Sequence, residues 1–247
     1  MPLIERLVGK GYCVKASTTS ANKVSQIAKL KADPFIVDID NISNDIQSFL
    51  KSEILIINIP SKSIEGFQSL LQVIEDSDIE KVLFVSSTSV YENQNKTILE
   101  SGDNEIPNKP LVIIENLFRN SSKVATTIVR FAGLIGNNRH PGRFFSRGNI
   151  VKAPDSFVNL IHLDDCIAII TQILQQQIWN EVFNCCADTH PTKRDYYTKA
   201  AKSLRQDIPA FGTPNSTSFK IISNEKVKRH LNYTFLHADL MGDINHL

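Results

Sequence analysis

Several features are scarce or absent in this chain of 247 residues. It has four cysteines, none of them in a C-x-x-C pair, which argues against a zinc or redox motif. No apolar run approaches the length of a membrane span, and the N-terminus lacks a secretory signal pattern. The 27 basic and 26 acidic side chains nearly cancel, so no strong field attracts nucleic acid or an anionic membrane. We therefore expect a cytoplasmic protein with reduced cysteines, no metal site, and no nucleic-acid or membrane partner.

What the sequence does contain is an alternation of short apolar runs with amphipathic segments. The runs are rich in β-branched residues, as strands buried on both faces of a parallel sheet require. The runs predicted as strands are 12–16, 34–39, 53–59, 81–85 and 125–131. The segments predicted as helices are 2–10, 21–31, 42–50, 64–74, 112–120, 165–175, 193–204 and 224–231. Ser63, Asp164 and Thr192 are predicted to cap three of them. This order predicts an α/β protein with a doubly wound parallel sheet.

A cluster of hydroxyl side chains follows the fourth of these strands. Ser86, Ser87, Thr88 and Ser89 come directly after the apolar run 81–85. Ligands of open parallel sheets bind beyond the carboxyl ends of the strands, so the cluster is a candidate site. The alternative is a serine-rich loop whose hydroxyls bond to their own backbone.

The segment FVSSTSVY, which ends at Tyr91, resembles the catalytic-serine segment of the extended short-chain dehydrogenase/reductases, the nucleotide-sugar epimerases and dehydratases. That segment runs roughly F-x-S-S-x-x-V-Y-G. Its working hydroxyl lies four residues before the tyrosine, which corresponds to Ser87, and Glu92 replaces the final glycine. Three further segments resemble family segments: RFAGLIG, FVNLIHLDD and EVFN. The resemblance extends from residue 2 to about residue 205.

The resemblance implies a fold and a function. It implies a Rossmann-type, dinucleotide-binding part in residues 1–135 and a small substrate-binding region in residues 136–247, partly interleaved with it in one globular unit. It also implies an NAD(P)-binding epimerase/dehydratase-like or reductase-like protein acting on a nucleotide-sugar or small carbonyl compound, with a homodimer left open. The alternative is an NAD(P)-binding sensor or partner-binding module without turnover.

The family's first strand and its Gly-x-x-Gly-x-x-Gly turn have no counterpart in this sequence. That turn brings backbone N–H groups and a helix N-terminus against the dinucleotide pyrophosphate. Residues 2–16 instead match the later part of that helix and the strand that follows it. We expect a truncated sequence that lacks roughly twenty residues, the length of one strand, one turn and half a helix.

The family's Tyr-x-x-x-Lys pair is also absent. In the family, the lysine and the cofactor ribose lower the tyrosine pKa, so that the tyrosine serves as an acid/base near neutral pH. Counted back from Glu115, the family register places Leu111 at the lysine and Pro107 at the tyrosine. Tyr91 is the candidate substitute, so the catalytic prediction is Ser87 with Tyr91. Structural packing is the alternative for Tyr91.

The second family strand ends in hydroxyl residues and no carboxylate, with Lys23 shortly after. NAD-binding proteins place Asp or Glu there for the ribose 2′-hydroxyl. Hydroxyls and a lysine suit a 2′-phosphate instead, so NADP is the predicted cofactor and NAD the alternative. A helix cap at Ser20 is the structural explanation of the same residues. The predicted cofactor contacts are Ser17, Thr18, Thr19, Lys23, Asp38, Asn58, Ile59, Pro60 and Ser86.

A basic, glycine-rich loop follows residue 131, and long loops in compact domains are usually functional or mobile. Its arginines, Arg147 among them, suit a diphosphate or carboxylate, and a solvated loop is the alternative. Against diphosphate binding, Val158 stands where epimerases often carry arginine. His162, in the apolar segment LIHL, is either a substrate contact or a satisfied buried histidine. The predicted substrate contacts are Thr88, Arg139, His140, Arg143, Asn159 and His162.

Overall fold

The computed structural model describes residues 1–43, 45–101, 104–145, 148–213 and 218–246. Its strands are β1 (Lys15–Thr18), β2 (Asp33–Ile36), β3 (Ile54–Ile57), β4 (Lys81–Ser87), β5 (Lys96–Ile98), β6 (Ala125–Phe131), β7 (Gly133–Ile135), β8 (Leu160–His162), β9 (Val182–Cys185) and β10 (Lys220–Ile222). Its α-helices are α1 (Pro2–Gly9), α2 (Val24–Lys29), α3 (Ile46–Phe49), α4 (Ile64–Glu75), α5 (Pro110–Arg119), α6 (Leu163–Gln176), α7 (Lys193–Ser203) and α8 (Glu225–Leu231).

Parallel strands form the sheets. A four-stranded sheet has the order β3-β4-β6-β9, while β1 pairs with β2, β5 with β10 and β7 with β8. The pairs β1–β2, β3–β4, β5–β10 and β7–β8 are all parallel. Parallel strands need crossover connections, which α4 and α5 supply between consecutive strands of the four-stranded sheet. The predicted α/β class with parallel sheets is confirmed.

The chain divides into two compact units that alternate along the sequence. The first unit comprises Met1–Val85, Pro107–Ile128 and Ile173–Glu181, and the second comprises Ser86–Ile106, Val129–Gln172 and Val182–Leu247. The assignment of a cofactor role to residues 1–135 and a substrate role to residues 136–247 stays a prediction.

An aromatic cluster in the first unit packs against β4. Phe84 stacks on Phe118 of α5 with ring centroids 5.4 Å apart, and Phe67 of α4 contacts both rings edge-on. All three side chains are at most 2% exposed. Burying a phenylalanine contributes about 1.5–3 kcal/mol. The cluster therefore fixes the strand that leads into the hydroxyl cluster.

The core of the second unit gathers side chains from β7, β8, α7 and the C-terminal segment. It contains Ile135, Val158, Leu160, Ala187, Tyr196, Ala200, Leu240 and Ile244. These residues come from five separate parts of the chain, since Ala187 lies between β9 and α7.

Two predicted helix caps are confirmed. At the start of α4, the Ser63 hydroxyl accepts the N–H of Gly66 at 3.2 Å. At the start of α7, the Thr192 hydroxyl accepts the N–H of Asp195 at 3.1 Å. A cap of this kind typically stabilises a helix by about 1 kcal/mol.

The first predicted strand begins later than expected. The N–H groups of Gly11 and Tyr12 bond back to the carbonyls of Val8 and Leu7 in α1, so pairing in β1 begins only at Lys15. A strand starting at residue 12 was wrong because its N–H groups complete the end of the preceding helix.

Two predicted caps are corrected. The Ser20 side chain makes no capping bond, and its N–H instead donates to the Thr18 hydroxyl at 3.1 Å before a short 3-10 turn, Ala21–Lys23. Asp164 does not cap α6, because that helix already begins at Leu163. Instead, His162 Nδ1 accepts the Asp164 N–H at 3.1 Å.

Within the described ranges, no helix is both long and apolar enough to cross a membrane. All four cysteines are free thiols, as predicted, with Cys13 exposed and Cys166, Cys185 and Cys186 buried. Burial raises the pKa of each of the three buried thiols, which keeps them protonated and unreactive.

Candidate active site

The predicted catalytic serine lies at the carboxyl end of β4, in the second unit. Ser87 is half-buried, and its Oγ accepts the N–H of Ser89 at 3.1 Å, which opens a short 3-10 turn. Ser86 and Thr88 on either side are buried, whereas Ser89 is exposed. A hydroxyl offers one proton and two lone pairs, so this local bond leaves Ser87 able to bind a ligand oxygen.

A lysine from far along the chain fixes the loop that follows Ser87. Lys220 lies in β10, and its Nζ donates to the carbonyl oxygens of Thr88 at 3.0 Å and Tyr91 at 2.6 Å. Hydrogen bonds from an ammonium are stronger than those between neutral groups. The predicted site loop therefore has a fixed backbone whose carbonyls face a positive charge. Lys220 was not predicted as a site residue from the sequence.

Asn159 holds β10 in place. Its Nδ2 donates to the Lys220 carbonyl at 2.9 Å, and its Oδ1 accepts the Ile222 N–H at 2.8 Å. Both ends of the side-chain amide are thus used by the backbone of one strand. Asn159 thus positions the strand that carries Lys220, and its predicted contact with a substrate stays a prediction.

Tyr91 belongs to a buried polar network and is 2% exposed. Its hydroxyl donates to Asn184 Oδ1 at 2.8 Å and accepts from Arg130 Nη1 at 2.6 Å. The buried Arg130 also pairs with Glu105 through Nη2 at 2.6 Å. Burial raises the pKa of Tyr91, and the Arg130 charge only partly opposes this shift. Because the phenol is enclosed and bonded on both sides, packing is the role the geometry favours, and an acid/base role for Tyr91 is not supported.

Asn184 is the second residue that the sequence analysis did not single out. Its backbone N–H donates to Glu100 Oε1 at 2.8 Å, and its Oδ1 accepts from Tyr91. Its Nδ2 is buried and has no hydrogen-bond partner among the described residues. An unsatisfied buried donor costs about 1–3 kcal/mol. Asn184 is therefore a further candidate for contact with a ligand or a bound water.

The basic loop does not present its histidine to solvent. His140 is buried, its Nδ1 accepts the Gly142 N–H at 3.1 Å, and its Nε2 lies 3.3 Å from the Ile244 carbonyl. These contacts favour a structural role for His140, and its predicted contact with a substrate stays a prediction. Arg139 is exposed and its Nε donates to the Leu134 carbonyl at 3.2 Å, and Arg143 is exposed. Arg147 lies outside the described residues.

A cavity of about 460 Å³ lies in the second unit beside this loop. Its volume falls in the range of small-molecule sites. Its lining consists of Pro141, Gly142, Phe145, Gly148, Tyr197 and the segment 205–210. None of the predicted site residues lines it. The loop thus borders a cavity through its Pro-Gly turn and Phe145.

His162 is buried beside two other polar side chains of the second unit. Its ring packs on that of His237 with centroids 3.7 Å apart, and Asp164 lies 3.5 Å from its Nδ1. Burial and the neighbouring His237 lower the pKa of His162. Gly136 has a φ of +93° and lies so close that an added Cβ would stand 2.1 Å from His162 Nε2. His162 is therefore enclosed by protein groups, and the alternative of a satisfied buried histidine fits it better than a substrate contact.

The predicted dinucleotide contacts of the first unit lie in the last residues of β1 or in the segments that follow β1, β2 and β3. Most of them are exposed: Ser17, Thr19, Lys23, Asp38, Asn58, Ile59 and Pro60. Thr18 is half-buried and holds the Ser20 N–H, so the hydroxyl segment combines an exposed surface with a local turn. Ile59 is 38% exposed and Ile36 at the end of β2 is 49% exposed. Polar groups and two exposed isoleucines thus share these strand ends.

The chain is similar to known proteins both in sequence and in structure. No protein-family model matches the chain. The chain is 29% identical over 255 residues to the protein YeeZ of Escherichia coli strain K12, covering 97% of this chain and 93% of that protein.

Solved structures share the fold. A conserved protein of unknown function from Silicibacter pomeroyi has a TM-score of 0.81 at 17% identity, covering 100% of this chain and 93% of that one. The UDP-glucuronic acid 4-epimerase from Bacillus cereus, solved with UDP-glucuronic acid and NAD, has a TM-score of 0.78 at 16% identity and covers 98% and 92%. At these identities the likeness shows a Rossmann-type α/β fold, which confirms the predicted fold class.

Proposed function

We propose that this protein is an NAD(P)-binding enzyme of the epimerase/dehydratase or reductase type, which acts on a nucleotide-sugar or a small carbonyl compound. One observation carries the proposal: Ser87 lies half-buried at the carboxyl end of β4, on a loop whose carbonyls Lys220 holds. The likeness to a UDP-glucuronic acid 4-epimerase solved with its sugar nucleotide and NAD supports it.

The dinucleotide would be held by the ends of β1, β2 and β3. Ser17, Thr18, Thr19 and Lys23 provide hydroxyls and a cation for a 2′-phosphate, which favours NADP over NAD. Asp38 and the segment 58–60 provide an exposed surface beside them. When bound, the nicotinamide would accept or donate a hydride.

The pyrophosphate is the part of the cofactor that the residues fit least. The resemblance assigns the pyrophosphate to a glycine-rich turn. In the family this turn follows a strand that lies in the sheet between the counterparts of β1 and β3. Among the described residues, β1 and β3 are edge strands of different sheets, and no strand joins them. We therefore expect weak binding of either dinucleotide by this chain.

The substrate would meet Ser87, whose hydroxyl would hold the reacting oxygen. We assign Tyr91 to the positioning of this loop and not to proton transfer, since its hydroxyl is already bonded to Asn184 and Arg130. The exposed Arg139 and Arg143 are proposed to attract a diphosphate or carboxylate. The cytoplasmic location and a homodimer belong to the same proposal.

A non-catalytic NAD(P)-binding module is the second candidate. It is favoured by one feature: the enclosed Tyr91 leaves the predicted acid/base role without a residue. In that case the only role of the Ser87 hydroxyl would be to accept the Ser89 N–H and so to stabilise the local turn.

A binding and turnover experiment separates the two candidates. NADPH and NADH are titrated by their fluorescence, and we expect tighter binding of NADPH. UDP-glucuronic acid and UDP-glucose are then incubated with the protein and NADP⁺ or NAD⁺, and the products are separated by chromatography. Cofactor binding without any product from either sugar nucleotide favours the non-catalytic module, and equal or reversed affinities contradict the NADP preference.

A further inference from the structure

Three side chains of the second unit form a cluster that the serine site does not use. The cluster consists of His162 at the end of β8, Asp164 in the first turn of α6, and His237 near the C-terminus. One ligand atom from each lies within 4.8 Å of the others. Asp164 Oδ2 is 3.5 Å from His162 Nδ1 and 3.4 Å from His237 Nε2. We call it the His–Asp–His cluster.

These separations fit the edges of a metal coordination polyhedron. Zinc binds imidazole nitrogen and carboxylate oxygen at about 2.0–2.2 Å, so two ligand atoms at the tetrahedral angle lie roughly 3.4 Å apart. The two nitrogen–oxygen separations, 3.5 Å and 3.4 Å, are close to that value. Two imidazoles and one carboxylate are also a ligand set that zinc takes with a fourth position open to water.

The surrounding groups hold the two rings in place. On one side, Gly136 lies directly against the His162 ring and leaves no room for a Cβ. On the other side, the buried Asp165 carboxylate accepts the Tyr233 hydroxyl at 2.6 Å and the His237 N–H at 3.1 Å, and it also accepts the N–H of Leu236 at 2.7 Å. Asp165 thereby fixes the backbone that presents His237. The His162 ring and the backbone that carries His237 are thus positioned without a metal, which lowers the entropy cost of binding one.

The three side chains of the cluster differ in exposure. The Asp164 side chain is 58% exposed, His237 is 21% exposed and His162 is 7% exposed. An ion can therefore enter beside Asp164. The Asp164 N–H donates to His162 Nδ1, which selects the tautomer whose Nδ1 carries no proton. A metal ion would take the place of this hydrogen bond.

We propose that the His–Asp–His cluster binds one divalent metal ion of the zinc class. The ion would join the segment that carries His237 to the junction of β8 and α6. No metal site was predicted from the sequence, since none of the cysteines lies in a C-x-x-C pair; His237 lies 73 positions after Asp164, and no local motif links them.

Cobalt titration of the full chain tests this proposal. Co²⁺ replaces zinc and shows visible absorption bands when four-coordinate. Every protein carries Cys13→Ser, because the exposed Cys13 thiol would compete for the metal. We expect the bands to saturate at one equivalent and to disappear when Zn²⁺ is added. Zn²⁺ should also raise the melting temperature. A parallel anaerobic titration with Fe²⁺ compares the affinity of the cluster for Co²⁺ with its affinity for iron, the other ion that two histidines and one carboxylate commonly bind.

Two ligand variants and one control complete the test. Asp164→Asn and His237→Gln should each weaken binding by more than about tenfold. His230→Ala removes an exposed histidine of α8 outside the cluster and should bind like the parent. Circular dichroism checks the folding of each variant. The proposal is overturned if the parent shows no saturable cobalt bands, or if both ligand variants keep its affinity and spectrum. Sugar-nucleotide turnover does not enter this test, so the proposed function stands or falls separately.

Discussion

Replacing Lys220 with methionine removes the ammonium from the loop that carries Ser87 while keeping most of the apolar stem. Two bonds are lost, at 3.0 Å to the Thr88 carbonyl and at 2.6 Å to the Tyr91 carbonyl. A hydrogen bond to a charged group contributes about 1.5–3 kcal/mol. The side-chain entropy that an ordered lysine gives up, roughly 1.5–2 kcal/mol, offsets part of this. The free energy of unfolding should therefore fall by about 2 kcal/mol.

Urea unfolding measures this loss, and limited proteolysis reports whether residues 88–92 open. Lys193→Met is the matched control, because the Lys193 Nζ makes one long bond of 3.3 Å to the Lys152 carbonyl. We expect that control to change stability by less than about 0.5 kcal/mol. If Lys220→Met is as stable as Lys193→Met, and its loop is cleaved no faster than in the parent, then Lys220 does not hold the loop.

Three further results are expected. Gly136→Ala should destabilise the protein by several kcal/mol, because the added methyl would clash with the His162 ring. The control Gly148→Ala has nothing within 4 Å of the added methyl and should cost only about 1 kcal/mol of backbone strain. Equal melting temperatures of the two variants would contradict this prediction. Tyr91→Phe should lower the free energy of unfolding by about 1–3 kcal/mol, since it removes a hydrogen-bond partner of the buried Arg130. Any turnover should remain. A variant that is stable but inactive would instead indicate that Tyr91 is a catalytic acid. Burial raises the pKa of four tyrosines in the folded protein. The denatured protein ionises its tyrosines near a pKa of about 10. At pH values just above this, the folded protein should therefore show little phenolate absorbance. Because the pKa values are raised in the folded state, the stability that these groups contribute is present below about pH 10 and is lost as the pH rises through the folded values. Absorbance at about 295 nm follows the titration. Identical titration curves for folded and denatured protein would contradict the burial of these side chains. The four are Tyr91, Tyr196, Tyr197 and Tyr233.

Local patterns predicted the parts of the fold that local interactions determine. The apolar run that forms β6 was predicted with the same bounds, and the caps at Ser63 and Thr192 follow from hydroxyls placed directly before helical spacing. The start of β1 was predicted too early because the N–H groups of Gly11 and Tyr12 bond to the end of α1. Strand propensity does not reveal such bonds.

The candidate site was predicted only where it is continuous in sequence. Ser86 and Ser87 end β4 and Thr88 follows it, but the lysine that fixes the loop lies 132 positions beyond Thr88. His140 was expected in an exposed loop, yet its ring reaches the Ile244 carbonyl, 104 positions away. Contacts at such separations depend on the assembly of the whole second unit, and no spacing within one segment encodes them.

The central claim is that the Ser87 hydroxyl holds the reacting oxygen of a substrate. The most direct measurement compares the turnover of Ser87→Ala, Ser87→Thr and Ser89→Ala on the substrate that the sugar-nucleotide incubation identifies. Removing one such positioned hydrogen bond costs about a hundredfold or more in turnover. Ser87→Ala also loses its bond to the Ser89 N–H, so unfolding in urea is measured alongside, with an expected loss of about 1 kcal/mol. The account predicts that Ser87→Ala is nearly inactive while it still binds NADPH, that Ser87→Thr keeps part of the activity, and that Ser89→Ala is largely unaffected. Normal turnover by Ser87→Ala would contradict it.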